Sequence, residues 1–406
     1  MIGTRVACVL AAVLGASFAM ASTPAPVKIQ EDIFAGQPRG PYQTGTYEEM
    51  WIDTKRQETT TSAPNDQRRL MVQIWYPAVH KGKQQLARYA LHRELYPNDE
   101  DAQWMTDAAA LPTNSALKAP LASQPARLPV LIYNPGGGHP AFSATFQTEF
   151  LASHGYVVVA IGHTGLTRIE RFPDGTSYQQ DTEIPYLSDE ESKGLSEVEQ
   201  FRRNVEGYAR RMMPVHVQDI GFVLDRLAAM NDERGNRFYQ RLDLERVGSL
   251  GWSLGGALSL QASRDEPRIK AAINLDGWLY TDVQETGTQK PIMVMHGGEP
   301  FANSPDQKAP DRELRLYAEM QPWKLYARTE ADWYDVILAR AEHGHFSDRT
   351  LFEPADSKSM HPRLAHDIVN RLTLEFFDKY LRQSQATPLL SGEQSYPEVS
   401  IFTKPK

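Results

Sequence analysis

One stretch of the chain, from Val247 to Ala262, constrains the fold more than any other. It begins as a short apolar run, passes through the sequence GWSLGG, and continues as small residues that favour a helix. The pattern predicts a strand, a sharp turn and a helix, with Ser253 at the apex. The glycines before and after this serine would let the neighbouring strand and helix approach closely. The amide of Leu254, at the start of the helix, would point towards an oxyanion formed beside Ser253.

A serine at such a position has a second explanation, because serine is also a common N-cap residue at a strand-to-helix turn. The two explanations differ in what the rest of the chain must supply. A nucleophilic serine needs a histidine as base, a carboxylate that orients the histidine, and a second oxyanion donor. Each of these groups would follow a different strand of a parallel sheet. The remaining sequence therefore decides between the two explanations.

Composition narrows the classes of protein to which the chain can belong. It has 406 residues, of which 41% are hydrophobic and 23% charged, so it is long enough for one large α/β domain or two smaller ones. A formal net charge of −8 and the lack of a Lys/Arg cluster argue against a nucleic-acid partner. The body of the chain has no apolar run long enough for a transmembrane helix. We therefore expect a globular chain that neither binds nucleic acid nor spans a membrane.

The N-terminal residues have the pattern of an export signal. Met1 to Arg5 carries one positive charge, Val6 to Phe18 is apolar, and the next three residues, Ala-Met-Ala, form a small-x-small cleavage site. This pattern predicts a secretory signal peptide that is cleaved after Ala21, and hence a periplasmic or secreted protein. The only cysteine, Cys8, lies inside the segment, so the mature chain is expected to have neither disulfides nor thiol catalysis.

Strand and helix patterns alternate in the middle of the chain. An apolar strand that begins at Leu128 is followed by a helical pattern at 142–154 and by a second apolar strand at 156–161. Strand, helix and strand at this spacing form a βαβ unit, which implies a parallel sheet with helices on both faces. Further strands are predicted at 269–275, 291–295, 334–338 and 398–402, and helices at 197–213, 215–230, 314–326 and 364–381. Alternation at 45–53 and 69–75 predicts an antiparallel strand pair at the sheet edge.

The expected fold is therefore α/β, of the α/β-hydrolase type, with a mostly parallel central sheet, helices on both faces and an antiparallel N-terminal strand pair. The chain divides into a signal peptide at 1–21, an extended leader at 22–44, an α/β-hydrolase domain at 45–383 and a C-terminal tail at 384–406. Two segments inside the domain, at about 79–127 and 166–200, are long for connections between elements. We interpret them as insertions that form a lid or a pocket rim.

Two histidines and two carboxylates could complete a catalytic triad with Ser253. His343 and His345 both follow the last predicted core strand. Asp276 follows the strand after the nucleophile helix, whereas Glu299 follows the next strand, which is the more usual place for the acid. Position alone does not choose within either pair.

A metal site at the two histidines and Asp348 is not favoured, because no H-x-x-x-H pattern supports it. No metal or cofactor is expected.

A glycine-rich loop follows the strand that begins at Leu128. Its sequence, from Asn134 to His139, is NPGGGH. Three successive glycines would let the backbone approach a bound ester and turn an amide towards it. The loop is not a nucleotide-binding loop, because no G-K-[ST] follows it. It is our candidate for the second oxyanion donor.

Together these motifs resemble the platelet-activating-factor acetylhydrolase-like branch of the α/β-hydrolases, the plasma-type serine esterases. The matching segments are an early strand, the glycine loop with the helix and strand after it, the serine elbow, an acid-bearing segment and an H-x-x-F-x-D element; they read IWYPA (74–78), PVLIYNPGGG (129–138), FLASHGYVVVAIGH (150–163), GWSLGG (251–256), INLDGWLY (273–280) and HGHFSD (343–348). The chain departs from the pattern at Pro135, where a His-Gly motif is more usual, and in the two insertions.

The resemblance implies a function as well as a fold. It implies an exported serine esterase with Ser253 as nucleophile, Asp276 as acid and His343 as base, which acts on a small-molecule or lipid ester such as a short-acyl ester or an acetylated lipid. Oxyanion donors implied by the match are the amides of Gly137 and Leu254, and the residues expected at the substrate pocket are Trp278 and Trp252. Alternatives on the same fold are a polyester- or dienelactone-type hydrolase or a peptidase, because fold does not fix substrate. An alternative of another class is a catalytically inactive hydrolase fold that acts as a binding protein.

Overall fold

The computed structural model describes residues 33–34, 40–92, 108–180, 187–298, 320–352 and 357–405, apart from positions 62, 64, 80, 81, 83 and 280. The predicted signal peptide and most of the predicted leader lie outside these residues. So do Glu299, the alternative acid, and the start of the helix predicted at 314–326.

The elements of the described part of the chain follow the predicted alternation of strands and helices. The strands are β1 (Gln43–Gln57), β2 (Gln67–Ala78), β3 (Leu86–Arg88), β4 (Pro112–Leu117), β5 (Leu128–Asn134), β6 (Val157–Gly162), β7 (Ile169–Arg171), β8 (Ser177–Gln179), β9 (Leu242–Trp252), β10 (Ile269–Leu275), β11 (Ile292–Gly297), β12 (Trp333–Leu338) and β13 (Val399–Thr403). The helices are α1 (Thr145–Ser153), α2 (Asp189–Ser192), α3 (Glu197–Asp232), α4 (Leu254–Asp265), α5 (Val283–Thr286), α6 (320–328), α7 (Arg349–Phe352), α8 (Pro362–Arg382) and α9 (Pro388–Ser391).

A single mixed sheet organises the described residues. Its eleven strands lie in the order β13-β12-β11-β10-β9-β5-β6-β2-β1-β4-β3. The strands from β12 to β6 are parallel to one another. The predicted N-terminal pair, β1 and β2, is antiparallel and joins this parallel part through β2, which pairs antiparallel with β6. Every residue of β5 and β6 is buried, as expected for central strands with helices on both faces.

Two apolar cores lie on opposite faces of the sheet. One core contains the buried residues of α3 and α4, including Ile220, Val223 and Leu227 of the predicted amphipathic stripe. The other core contains the buried residues of α1 and α8. The α/β-hydrolase architecture expected from the sequence is therefore present, with a helix layer on each side of the sheet.

One long helix, α3, replaces the two helices predicted on either side of Pro214. Proline removes one backbone hydrogen bond and normally bends or ends a helix. Here Met212 and Met213, just before the proline, and Ile220, after it, are all buried in the same core. Shared burial on both sides keeps the helical path continuous through the proline.

The two insertions add elements that the sequence patterns did not specify, whereas the tail contains the strand predicted at 398–402. The segment at 79–127 contributes β3 and β4, which extend the sheet beyond β1. The segment at 166–200 contributes the small β7–β8 hairpin and α2. In the predicted tail, β13 pairs antiparallel with β12 and closes the opposite edge of the sheet. Among the described helices, none is long and apolar enough to cross a membrane.

Candidate active site

The candidate site lies at the carboxyl edge of the parallel strands. Ser253 follows β9, Asp276 follows β10, and His343 lies on a short 3₁₀ helix, His343–Phe346, shortly after β12. These strands are parallel, so their carboxyl ends meet at one edge of the sheet. Residues 90 positions apart in the sequence, such as Ser253 and His343, are thereby brought into contact.

Ser253 occupies the sharp turn that its sequence predicts. Its backbone angles are φ 56° and ψ −124°, in a region that non-glycine residues rarely adopt. Ser253 is the N-cap residue of α4, but its side chain makes no capping hydrogen bond. Its Oγ instead lies 3.0 Å from His343 Nε2. The structure therefore does not have the capping serine that was the alternative explanation of this motif.

The glycines of the elbow are required by close backbone packing. A Cβ atom on Gly255 would lie 2.0 Å from the carbonyl oxygen of Asn134. A Cβ atom on Gly251 would lie 2.4 Å from the carbonyl group of Gly255. Only glycine lets α4 begin directly against the ends of β5 and β9, and this contact fixes the position of the serine.

His343 links the serine to the acid. Its Nδ1 lies 2.6 Å from Asp276 Oδ2, and its Nε2 lies 3.0 Å from Ser253 Oγ. His345 is in a different environment, because its ring is 3% exposed and both nitrogens are bonded to backbone. Its Nδ1 accepts a hydrogen bond from the Glu342 amide, and its Nε2 lies 2.6 Å from the carbonyl oxygen of Met360. The structure thus brings His343, and not His345, to the serine.

Asp276 is held as an acceptor on both oxygens. Oδ2 faces His343, and Oδ1 accepts a hydrogen bond of 3.1 Å from the amide of Gly297 at the end of β11. Burial alone would raise the pKa of Asp276, but the hydrogen bond and charge of His343 and the Gly297 amide outweigh it and hold the pKa below its usual value. The group is therefore an ionised carboxylate at neutral pH.

The glycine loop and the first turn of α4 each contain a backbone amide without an acceptor in the described part of the chain. In the glycine loop, Gly138 donates its amide to Leu166 and His139 donates its amide to Gly136. The amide of Gly137 makes no hydrogen bond within the described residues. The amide of Leu254, the first residue of α4, likewise has no acceptor there, as is usual in the first turn of a helix. These are the two amides that the sequence motifs singled out.

Trp252, which the resemblance places at the substrate pocket, is buried against His343. Its side chain is 1% exposed, and its indole Nε1 donates a hydrogen bond of 2.9 Å to the backbone carbonyl of His343. The ring packs against Gly136, where a Cβ atom would lie 2.6 Å from it, and against the ring of His139. Trp278, the other predicted pocket residue, is 38% exposed. Sequence reasoning missed the contact of Trp252 with His343, because the two residues are 91 positions apart.

Asp348 joins the histidine loop to the helix that follows the glycine loop. Its carboxylate is buried and accepts hydrogen bonds of 2.6 Å and 3.1 Å from the amides of Thr145 and Phe146, at the start of α1. These contacts cap the helix. The carboxylate is therefore engaged in a contact that holds the site together and does not face His343 and His345 as a metal ligand.

One buried group in the described part of the chain has the composition of a metal site. The ligand atoms of His163, His216 and Asp219 all lie within 4.8 Å of one another. However, Asp219 already accepts hydrogen bonds from the guanidinium groups of Arg68 and Arg56. The nitrogens of His163 are also taken, one by Asp219 and the other by Asn134, so this cluster does not present a set of open ligand atoms to a metal.

The chain is similar to known esterases in sequence. It matches the family model described as "Platelet-activating factor acetylhydrolase, isoform II" over residues 35–394. It is 24% identical over 298 residues to the "Probable 1-alkyl-2-acetylglycerophosphocholine esterase" of Arthroderma benhamiae, and the match covers 67% of this chain and 65% of that protein. It is 23% identical over 299 residues to the "Platelet-activating factor acetylhydrolase" of Cavia porcellus, with 68% and 64% covered. The chain therefore spans somewhat less than two thirds of each relative.

A solved structure has the same fold. The ferulic acid esterase from Streptomyces cinnamoneus superposes with a TM-score of 0.64 and 24% sequence identity, covering 90% of this chain and 98% of that one. This likeness, together with the observed sheet, confirms the α/β-hydrolase fold predicted from the sequence.

Proposed function

Because the chain belongs to the platelet-activating factor acetylhydrolase isoform II family, we propose that it is a serine carboxylic-ester hydrolase acting on short-acyl esters or acetylated lipids. The observation that carries this proposal is the pair of hydrogen-bond contacts that link Ser253 to His343 and His343 to Asp276. Both named relatives are described as esterases or acetylhydrolases of an acetylated phospholipid, which supports the same substrate class. Export, which the apolar segment before Ala21 predicts, belongs to the same proposal.

In the proposed mechanism Ser253 Oγ attacks the acyl carbon while His343 Nε2 takes its proton. The tetrahedral intermediate places its oxyanion against the amides of Gly137 and Leu254. His343 then gives the proton to the departing alcohol, which leaves an acyl group on Ser253. A water molecule, activated by the same histidine, hydrolyses this acyl-enzyme and restores the serine.

The acid has two effects on the histidine. Ionised Asp276 accepts a hydrogen bond from Nδ1–H of His343, which leaves the lone pair of Nε2 directed at Ser253. Its negative charge then stabilises the imidazolium that forms when Nε2 takes the proton. The amide of Gly297 holds the carboxylate in the orientation that both effects require.

A substrate panel combined with covalent labelling tests the proposed function. We expect rapid turnover of acetyl and butyryl p-nitrophenyl esters, slower turnover of longer acyl chains, and little turnover of the matching anilides. We also expect a fluorophosphonate probe to label the chain at Ser253, as an activated serine nucleophile requires. Faster cleavage of the anilides than of the esters would favour a peptidase. An unlabelled, inactive chain would favour a binding protein.

The indole of Trp252 is expected to act on turnover and not on substrate binding. Trp252→Phe removes the hydrogen bond to the His343 carbonyl, which is worth about 1 kcal/mol. We expect kcat to fall about fivefold with KM unchanged, because the histidine loses a support that the substrate does not touch. Trp278→Phe, at an exposed tryptophan, is the matched control and is expected to change KM more than kcat. A rise in KM with normal kcat in Trp252→Phe would place Trp252 in the pocket after all.

A further inference from the structure

A chain of buried polar groups lies behind the glycine loop. Asn134, the last residue of β5, lies at its loop end. Its side-chain Nδ2 donates hydrogen bonds of 2.9 Å to Ser259 Oγ and 3.1 Å to Ser249 Oγ, and its Oδ1 lies 3.0 Å from His163 Nε2. The other ring nitrogen of His163, Nδ1, lies 2.9 Å from Asp219 Oδ2. All of these side chains are buried.

The orientation of the Asn134 amide is determined by Ser259. The hydroxyl of Ser259 donates its single proton to the carbonyl of Gly255, at 2.8 Å. Its oxygen can therefore only accept from Asn134, so the group that faces it must be the NH₂. The carbonyl of Leu250, 3.5 Å from the same nitrogen, requires the same orientation. Oδ1 consequently faces His163 Nε2, and this nitrogen must carry a proton.

The contact on the opposite side of His163 also needs a proton. A bare Nδ1 would place its lone pair 2.9 Å from a carboxylate oxygen, which is repulsive. The proton cannot belong to the carboxylate, because Asp219 accepts three hydrogen bonds from guanidinium groups, two from Arg68 and one from Arg56. Burial would raise the pKa of Asp219, but the charge of Arg68 and these bonds hold it well below its usual value. The hydrogen-bond directions therefore put a proton on both nitrogens of His163.

Charge balance leads to the same result. Arg68 forms ion pairs with Glu58 and Asp219, and Arg56 forms ion pairs with Asp53 and Asp219. With these five groups ionised, one negative charge is left without a partner in a largely buried cluster. A singly charged imidazolium at His163 compensates this negative charge. With a neutral imidazole, the charge would stay uncompensated in a buried environment of low dielectric constant. A divalent cation would overcompensate it.

We propose that His163 is a buried imidazolium and a positioning residue that holds Asn134, and with it the start of the glycine loop. The carbonyl of Asn134 lies against Gly255 in the first turn of α4, so a shift of Asn134 would disturb both sides of the candidate oxyanion site. The protonation of His163 stands on the hydrogen bonds and charges alone. Its effect on turnover rests on the proposed function.

The titratable neighbours of His163 come from several elements. Asp219 and His216 face it from α3, Arg68 from β2 and Arg56 from β1. Burial lowers the pKa of His216 to about 4, so this histidine stays neutral. Burial lowers the pKa of His163, and the hydrogen bond and charge of Asp219 oppose that effect without reversing it, so the second proton rests on the hydrogen-bond directions and not on the pKa. Glu170, on β7, lies close to the neighbouring Gly162, and burial raises its pKa to about 7.

The protonation state can be measured on the full chain without any substrate. Long-range ¹H–¹⁵N correlation spectra of the ¹⁵N-histidine-labelled protein are expected to show both His163 nitrogens protonated from about pH 6 to about pH 8. The His163→Gln variant assigns the signal by its loss. A neutral tautomer with one bare nitrogen at neutral pH would overturn the proposal. Stoichiometric bound metal in the purified protein would also overturn it.

Kinetics test the positioning role. His163→Asn can still donate to Asp219 but is too short to reach Asn134, so we expect kcat to fall about 10- to 100-fold with KM unchanged. Affinity for a trifluoromethyl ketone, which forms an oxyanion on the serine, should fall in parallel. His163→Gln, whose amide can reach Asn134, should recover most of the loss. His154→Gln, at a histidine on the distant end of α1, is the control and should keep normal kcat.

The outcomes of these tests separate the two proposals. A lower melting temperature with unchanged kcat and inhibitor affinity in His163→Asn would show that His163 only stabilises the fold, and would reject the positioning role. A wild-type chain that hydrolyses no ester would contradict the proposed function. The two-proton spectrum of His163 would stand in either case.

Discussion

Ser253→Ala is expected to lower kcat for p-nitrophenyl acetate by about 10⁶-fold, the loss seen when the nucleophile of a serine hydrolase is removed. Two features of the structure lead to this expectation. Ser253 Oγ makes its contact with His343 and caps no helix, so its hydroxyl has no structural role that Ala would disturb. The amides of Gly137 and Leu254 remain in the variant, so a residual rate above that of water is expected from them.

The test of Ser253→Ala has a matched control on the same helix. Ser263→Ala removes a buried hydroxyl of α4 that bonds only within the fold, to Leu260 and Thr288. We expect Ser263→Ala to lower stability slightly and to keep normal kcat, whereas Ser253→Ala keeps its melting temperature and loses activity and fluorophosphonate labelling. If Ser253→Ala hydrolysed the ester at the wild-type rate, the nucleophile would have to lie elsewhere.

The serine elbow could be predicted from the sequence because its constraints are local. Gly251 is needed by its contact with Gly255 inside the motif, and Gly255 by its contact with the distant Asn134, but both glycines flank Ser253 at a fixed spacing and so leave a pattern in consecutive letters. The parallel strands could be predicted for a similar reason, since fully buried strands such as β5 and β6 appear as continuous apolar runs. Because the parallel strands are neighbours in the sheet, the loops that carry Asp276 and His343 meet at its carboxyl edge.

The supports behind the site could not be predicted, because they join distant parts of the chain. Trp252 and His343 are 91 positions apart, and Arg68 and Asp219 are 151 apart. Neither a tryptophan beside a serine nor an arginine in a strand forms a sequence pattern that indicates such a distant partner. The short strands β3 and β4 were missed for another reason, since strands of three and six residues show too few alternations to be distinguished from loop.

Asp276→Asn is expected to lower kcat by about 10⁴-fold, because it forces His343 into the wrong tautomer. The amide of Gly297 donates to Oδ1 of Asp276, so the oxygen of the asparagine must stay on that side. Its NH₂ group then faces Nδ1 of His343, which has to accept a hydrogen bond instead of donating one. The ring proton moves to Nε2, and this nitrogen can no longer take the proton of Ser253. Stopped-flow and steady-state rates on p-nitrophenyl acetate would measure the loss.

Three companion variants make this explanation testable. In Asp276→Ala no side chain faces Nδ1 of His343, so water can solvate this nitrogen in either tautomer. We therefore expect kcat of Asp276→Ala to be no lower than that of Asp276→Asn, although more of the side chain is removed. Glu299→Gln, at the carboxylate that the sequence left open as the alternative acid, is expected to keep kcat within about twofold of the wild type. A collapse of kcat in Glu299→Gln but not in Asp276→Asn would assign the acid to Glu299. Asp276→Glu retains the charge but moves the carboxylate, so it separates the effect of charge from that of geometry. Nδ1 of His343 lies 2.6 Å from the Asp276 carboxylate and leaves no room for a longer side chain. We therefore expect Asp276→Glu to have a kcat between those of Asp276→Asn and the wild type.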